Sequence, residues 1–225
     1  MADKIEKETL EASLNEKLEK SKGMVFAVAA VVIVAIVAVA VVATVKSKIT
    51  EKGIEQVDTI SYILTNESKD LSDSDIAARQ KKALDDLSSL TSKGGVVGLR
   101  ANMLAAEIKY AQKNYSEARD FWLKAVEVKK NAYTAPLCYY NAAACSENLK
   151  DTDGAIAYYK AASEAEDFLL VDHALFSLGR VNESAKKYDD AKEAYNKLTS
   201  LHSSSKWADL AKSRLIALSI AGNIQ

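Results

Sequence analysis

The clearest feature of the hydrophobic pattern is a run of 22 residues, Met24 to Val45, without a charged side chain. As a helix this run would be roughly 33 Å long, and the hydrocarbon core of a bilayer is about 30 Å thick. A segment in lipid must satisfy its own backbone hydrogen bonds, so a helix is expected despite the many valines. The pattern predicts a transmembrane helix that binds the lipid bilayer through Met24–Val45.

A cleaved signal peptide is the alternative interpretation of this run. Ala38-Val39-Ala40 has the small-x-small form of a cleavage site. The run is nevertheless long for a signal peptide, and the 23 residues before it carry six acidic residues beside five lysines. We therefore expect an anchor that stays attached.

The residues that flank the run give an expected orientation. Leu10, Leu14 and Leu18 recur every four residues among charges, which predicts a solvated or interfacial amphipathic helix in residues 1–23. Within about 20 residues of the run, five lysines precede it and three follow it. Because lysine is enriched on the cytoplasmic side, we expect a cytoplasmic N-terminus and a periplasmic C-terminal domain.

Helical periodicity continues after the run, and the whole chain divides into four expected segments. Apolar residues keep helical spacing from Ile49 to Leu64, a polar break follows, and a second helix is predicted over Ile76–Leu90. Ser92 to Gly95 is predicted to be a loop and a hinge. The expected domains are a tail (1–23), a transmembrane helix (24–45), a stalk with a degenerate leading helix pair (46–98), and repeats with a final helix (99–225).

From Leu99 onward the pattern repeats with spacings of 37 and 36 residues. Each unit has a small residue, a second small residue twelve positions later, an aromatic residue four positions after that, and another core residue three further on. Small residues let two antiparallel helices approach closely, and such pairs must stack to bury their apolar faces. The three sets are Ala106, Ala118, Trp122 and Ala125; Ala143, Ala155, Tyr159 and Ala162; and Gly179, Ala191, Tyr195 and Leu198.

This pattern resembles the tetratricopeptide repeat, whose signature combines Leu-Gly and Tyr in the first helix with Ala and an aromatic residue in the second. The resemblance covers residues 99–205, with 49–92 as the degenerate leading pair and 206–220 as a C-terminal capping helix. It implies an all-α fold with an α-solenoid of helical hairpins, which here follows the single N-terminal transmembrane helix predicted from the apolar run. The third repeat is the most similar, with Leu175, Leu178, Gly179, Tyr188, Ala191 and Tyr195.

The resemblance also implies a function in binding other proteins. In this family the first helices of the pairs line a groove for partner segments. The family's clamp for chaperone tails retains only Asn141 here, so capture of a chaperone's carboxylate tail is disfavoured. Registered on the small residues, the expected groove positions are Arg100, Met103, Tyr110, Tyr140, Phe176 and Arg180.

The layout of one anchor and a repeat domain is similar to bacterial inner-membrane proteins whose periplasmic repeats accompany the Sec translocon. We therefore expect an envelope scaffold in the inner membrane that assists chaperone or export steps. One alternative is a cytosol-facing receptor for protein import or assembly, which membrane topology would distinguish. Another alternative is an adaptor for envelope assembly or cell division.

Composition narrows the remaining classes of function. The chain has 30 Lys+Arg against 31 Asp+Glu, so no basic field favours nucleic acid. His173 and His202 are isolated, and no nucleophile–base motif occurs, so we expect no enzyme activity, metal site or cofactor. Cys138 and Cys145 would lie about 10.5 Å apart along one helix, beyond the roughly 7 Å that a disulfide tolerates.

Overall fold

The structure, a computed structural model, describes the backbone of residues 2–66, 71–165 and 167–225, and the side chains of nearly all of these from Ser21 onward. These ranges contain nine α-helices and no strand, which confirms the all-α prediction. Two compact units are present, Met1–Glu51 and Lys52–Gln225. The helices are α1 (Ala2–Thr65), α2 (Asp73–Leu87), α3 (Gly95–Ala111), α4 (Tyr115–Val128), α5 (Ala135–Asn148), α6 (Thr152–Ser163), α7 (Val171–Ser184), α8 (Tyr188–Leu201) and α9 (Lys206–Ile220).

The first unit is helical throughout its described part. Every large apolar side chain from Met24 to Val45 is at least half exposed. Among the described helices, α1 alone is long and apolar enough to cross a membrane, and a signal sequence near an N-terminus would share these properties. The side chains of Leu10, Leu14 and Leu18 lie outside the described part, so the amphipathic tail stays a prediction.

In the second unit, three helix pairs follow the leading helices: α3–α4, α5–α6 and α7–α8. Polar side chains cap the starts of two of the three second helices, α4 and α6. The Asn114 side chain accepts a hydrogen bond from the Glu117 backbone N–H, and Asp151 accepts one from Gly154. These acceptors satisfy amide groups that a helix leaves unpaired in its first turn.

The turn between the two helices of each pair has one recurrent form. Lys113, Lys150 and Lys186 each adopt φ of 60° at equivalent positions. At the first of these, the amide of Asn114 donates to the carbonyl of Lys109 and the amide of Lys113 to that of Tyr110, and the other two turns repeat the pattern. This is a Schellman turn with lysine at the left-handed position that glycine usually occupies.

The contact between the paired helices depends on small residues. Ala106 and Ala143 are fully buried, in the same core clusters as Trp122 and Tyr159 respectively. In the third pair, a Cβ atom placed on Gly179 would lie 2.6 Å from Cδ1 of Tyr195, which is fully buried. The aromatic ring therefore occupies the space that a side chain on Gly179 would need.

The leading helices differ slightly from their predicted bounds. The α2 helix begins at Asp73 rather than Ile76, because the Ser72 side chain accepts from the Asp75 amide. The loop predicted over Ser92 to Gly95 is one residue shorter, because α3 begins at Gly95. The residue before this loop, Thr91, accepts a hydrogen bond at its carbonyl from the buried Asn102 side chain. The α9 helix has its predicted bounds, Lys206–Ile220.

We expect Gly179→Leu to destabilise the protein by about 1–3 kcal/mol, toward the upper end, because the added atoms meet the buried ring of Tyr195. The measurement is the midpoint of urea unfolding of the full chain in mild detergent, followed by circular dichroism.

The matched control is Ser184→Leu, which adds a leucine to an exposed position of the same helix. This variant should change stability by less than about 0.5 kcal/mol. Equal midpoints for Gly179→Leu and the parent protein would show that the assigned helix register is wrong.

Candidate protein-binding groove

Equivalent positions on four helices carry a row of apolar side chains. Met103, Tyr140 and Phe176 are half-buried on α3, α5 and α7, and Leu210 is 48% exposed on α9. The spacings are 37, 36 and 34 residues, so α9 continues the register of the first helices. We call these four residues the first-helix row.

An aromatic cluster surrounds the C-terminal half of this row. The His173 ring stacks on Trp207 with centroids 3.9 Å apart and planes 11° apart. The Tyr140 hydroxyl lies 3.1 Å from a ring nitrogen of His173, and Phe176 packs 5.1 Å from Trp207. The cluster joins three consecutive first helices and leaves the rings only half-buried.

Burial affects the titration of this cluster. Burial raises the pKa of the Tyr140 hydroxyl. It lowers the pKa of the His173 ring, and this effect outweighs the nearby Asp172 carboxylate, which raises that pKa. At neutral pH both groups are therefore uncharged, and the surface between α5 and α9 is an aromatic one.

In each of the last two pairs, a glutamate on the first helix contacts the second helix of its own pair and also the next helix along the array. Tyr159 donates its hydroxyl proton to Glu147 at 2.7 Å, and Arg180 of the next first helix donates to the same carboxylate at 2.7 Å. Tyr195 and Arg214 contact Glu183 in the same way, with the Tyr195 hydroxyl 3.1 Å away. We call each set a Tyr–Glu–Arg bridge.

These contacts keep both glutamates ionised. Burial raises the pKa of Glu147, but the hydrogen bonds from Arg180 and Tyr159 outweigh it, and the net shift is downward. For Glu183, the hydrogen bond from Arg214 is the largest influence and lowers the pKa against the effect of burial. Each bridge therefore carries a paired charge and leaves its arginine little capacity for a partner's carboxylate.

The first helix pair lacks such a bridge. The positions equivalent to the glutamate, the tyrosine and the arginine hold Tyr110, Trp122 and Ala144. The buried indole N–H of Trp122 has no hydrogen-bond partner, and the exposed Tyr110 packs edge-on against Tyr115 at 5.2 Å. At these three positions the first pair is thus less polar than the two pairs that follow it.

Comparison with known proteins identifies the repeated unit. Residues 137–167 and 173–205 match two sequence models of the tetratricopeptide repeat. A "TPR repeat-containing protein" of Treponema pallidum (strain Nichols) is 32% identical over 152 residues, which cover 66% of this chain and 64% of that relative.

Residues 137–167 and 173–205 are therefore similar to the tetratricopeptide repeat. The two matches coincide with the α5–α6 and α7–α8 pairs. Repeats of this kind generally present extended surfaces to which other proteins bind.

The structure gives each predicted groove residue a local environment. Arg100 forms an ion pair with Asp58, and Met103 packs against the core of the first repeats. Tyr140 and Phe176 come together through the aromatic cluster, whereas Arg180 belongs to a Tyr–Glu–Arg bridge. All six are partly exposed, and their role in binding stays a prediction.

Sequence analysis assigned Trp207 and Leu210 to a capping helix and did not include them in the groove. Their separation of 34 residues from His173 and Phe176 is the signal that would have identified them. The same spacing of 34 residues relates Arg214 to Arg180. In the structure Arg214 contacts Glu183 as Arg180 contacts Glu147.

Other reactive groups in this unit are buried or isolated. Cys138 and Cys145 are not bonded to each other, as their spacing predicted. Both thiols are fully buried, and burial raises their pKa values to about 12 and about 11. Such thiols are inert as nucleophiles. In the part of the chain that the structure describes, no three His, Cys, Asp or Glu side chains are placed to share a metal ion.

We expect Glu183→Gln to cost about 1–2 kcal/mol at neutral pH, because Arg214 and Tyr195 lose an ionised acceptor. The folded-state pKa of Glu183 is lowered, so its contribution is present above the unfolded value of about 4.3 and is lost as pH falls through the folded value. Urea unfolding at about pH 7 and about pH 3 should show a smaller deficit at the lower pH.

The control for this prediction is Asp153→Asn. The Asp153 side chain is 89% exposed, and its ion pair with Lys187 should contribute little. A Glu183→Gln deficit that is as large at low pH as at neutral pH would contradict an electrostatic role for the carboxylate.

Proposed function

We propose that this chain is a single-pass scaffold of the bacterial inner membrane, with a cytoplasmic N-terminus and a periplasmic repeat unit. The observation that carries the proposal is an exposed, uncharged helical run joined in one chain to tetratricopeptide repeats. The scaffold would hold partner proteins close to the bilayer. Assistance to chaperone or export steps at the translocon is the specific role that the layout favours.

The apolar run supports anchoring because its side chains have no other partner in its unit. Burying a valine, isoleucine or phenylalanine side chain contributes about 1.5–3 kcal/mol, and the run contains 14 large apolar side chains that are at least half exposed. Exposed in water, this surface would drive aggregation. Lysines flank the run on both sides, with Lys22 before it and Lys46 and Lys48 after it.

The first-helix row supports binding of an apolar partner segment. Half-exposed aromatic and aliphatic side chains are typical of the centre of protein interfaces. Arg100, Arg180 and Arg214 are each paired with an acidic residue of the same unit. A partner would therefore be recognised by apolar and aromatic contacts rather than by a free carboxylate.

The bacterial setting is supported by the relative from Treponema pallidum, which is also named for its repeats. A protein at the translocon would meet chains that expose apolar segments before they fold. The aromatic cluster has the chemistry to hold such segments weakly and reversibly. The domain boundaries at residues 23, 45 and 98 belong to the same proposal.

Anchoring and orientation are tested with reporter fusions to Gln225. We expect activity from a reporter that functions only after export, and none from a reporter that functions only in the cytoplasm, because the lysines before Met24 hold the N-terminus inside. The opposite pair of activities would favour the cytosol-facing receptor. A mature protein that begins at Val41 would establish the cleaved signal peptide instead.

Partner binding is tested with Tyr140→Ala and Phe176→Ala in full-length protein captured from detergent-solubilised membranes. Truncating a hot-spot residue of an interface typically costs about 2 kcal/mol or more of binding free energy. The affinity for the partner should therefore fall about thirtyfold, and less partner should be recovered. Quantitative mass spectrometry of the co-purified proteins gives the measurement.

The matched control is Lys160→Ala, an exposed position on the second helix of a repeat. Lys192→Ala provides a further control on α8. Circular dichroism must show that each variant keeps the parent helicity, since Tyr140 also supports the aromatic cluster. Folded Tyr140→Ala and Phe176→Ala variants that retain every partner would show that the first-helix row is not the binding surface.

A further inference from the structure

The loops between successive repeats end in unusually exposed apolar side chains. Tyr133, before α5, is 89% exposed, and Leu169, before α7, is 94% exposed. Leu201, at the end of α8, is 65% exposed. None of the three is required for the helix contacts or for the first-helix row, and we call them the loop tips.

The loop tips lie along one edge of the second unit. Consecutive helices in the repeats are antiparallel and joined by short turns, so every first helix starts at the same edge. Two contacts support this arrangement: Ser205 donates to Asp172 at 2.5 Å, and His173 stacks on Trp207, all at the starts of α7 and α9. At the opposite edge, Lys187 pairs with Asp153 at 3.0 Å, next to the lysine turns.

The α1 helix joins the second unit at the same edge. Gly53 packs against Val97, two residues after the start of α3. Farther along, Asp58 pairs with Arg100, and Leu64 packs in the same cluster as Ile108. This part of α1 therefore runs parallel to α3, and its first residue in this unit, Lys52, lies at the edge of the loop tips.

Chain connectivity places a bilayer close to this edge if the apolar run is an anchor. Lys52 follows Val45 by seven residues, which reach about 10 Å as a helix and at most about 24 Å when extended. Such a short tether gives the edge a high effective concentration at the membrane surface, so weak contacts suffice to hold it there.

We propose that the edge carrying Tyr133, Leu169 and Leu201 rests on the bilayer, with these side chains in the interfacial layer. The proposal rests on the membrane anchoring proposed above. Tyrosine is enriched at membrane interfaces, and leucine contributes apolar area there. The opposite edge carries Lys113, Lys150 and Lys186 in its turns and would remain in water.

The charges near the loop tips indicate which lipids are needed. Lys129 and Lys130 precede Tyr133, but Asp167 and Asp172 flank Leu169. Charges of both signs cancel any strong attraction to anionic headgroups. Apolar insertion therefore supplies the contact, and a neutral phosphatidylcholine bilayer is the appropriate probe.

The test uses the full chain reconstituted into phosphatidylcholine nanodiscs. An environment-sensitive fluorophore is attached through Asn131→Cys or Ser203→Cys, exposed polar positions two residues from Tyr133 and Leu201. Matched labels at Lys113→Cys and Lys150→Cys report on the opposite edge. Cys138 and Cys145 are fully buried and should not react, which the unlabelled parent protein checks.

We expect a nitroxide near the lipid headgroup to quench the first two labels at least twofold more strongly than the second two. Replacing Leu169 and Leu201 by serine should halve the quenching at residue 131 without changing the helicity. Equal quenching at the two edges would overturn the proposal, as would quenching at residue 131 that the serine variant leaves unchanged.

A label at Val34→Cys separates failure of this inference from failure of anchoring. Strong quenching at residue 34 by a nitroxide deep in the acyl chains, with equal quenching at the two edges, would leave the anchor intact and overturn the loop-tip contact alone. Absence of quenching at residue 34 would overturn both the anchor and the contact that rests on it.

Discussion

The repeat unit depends on the close approach of two helices at a residue without bulk. Ala106, Ala143 and Gly179 each allow an aromatic ring from the second helix to lie directly on the first helix. Once the ring is placed, the second helix has a fixed rotation, and its outer face is available to the next pair. A solenoid follows from repetition of this contact, because each pair buries its apolar surface only against its neighbours.

The Tyr–Glu–Arg bridges build on the same ring. The tyrosines that pack on Ala143 and Gly179 also donate their hydroxyl protons to Glu147 and Glu183. Each glutamate then accepts from the arginine of the following first helix. One aromatic residue thus fixes the contact within a pair and, through its hydroxyl, the position of the next pair.

Sequence periodicity predicted the positions of the helices better than the side-chain contacts between them. The α9 bounds, the repeat register and the isolation of the two cysteines follow from local spacing and helix geometry. The bridges do not, because Glu147 and Arg180 are 33 residues apart and meet only when the pairs stack. Trp207 and Leu210 were missed because a helix at the end of a repeat array was interpreted as a cap, whereas their register with His173 and Phe176 marks another first helix.

The absence of a bridge in the first pair has a consequence for cooperativity. In a repeat array, stability is a sum of units and nearest-neighbour couplings. The bridges to Arg180 and Arg214 couple the last two pairs and α9 electrostatically. Ala144 offers the α3–α4 pair no bridge, but Arg119 of α4 reaches the next pair and forms an ion pair with Asp151 at 2.6 Å. Charge therefore couples the α3–α4 pair to its neighbour through a second helix and couples the later pairs through their first helices. Amide exchange along the array would measure how evenly the free energies of local opening are distributed between these two kinds of link.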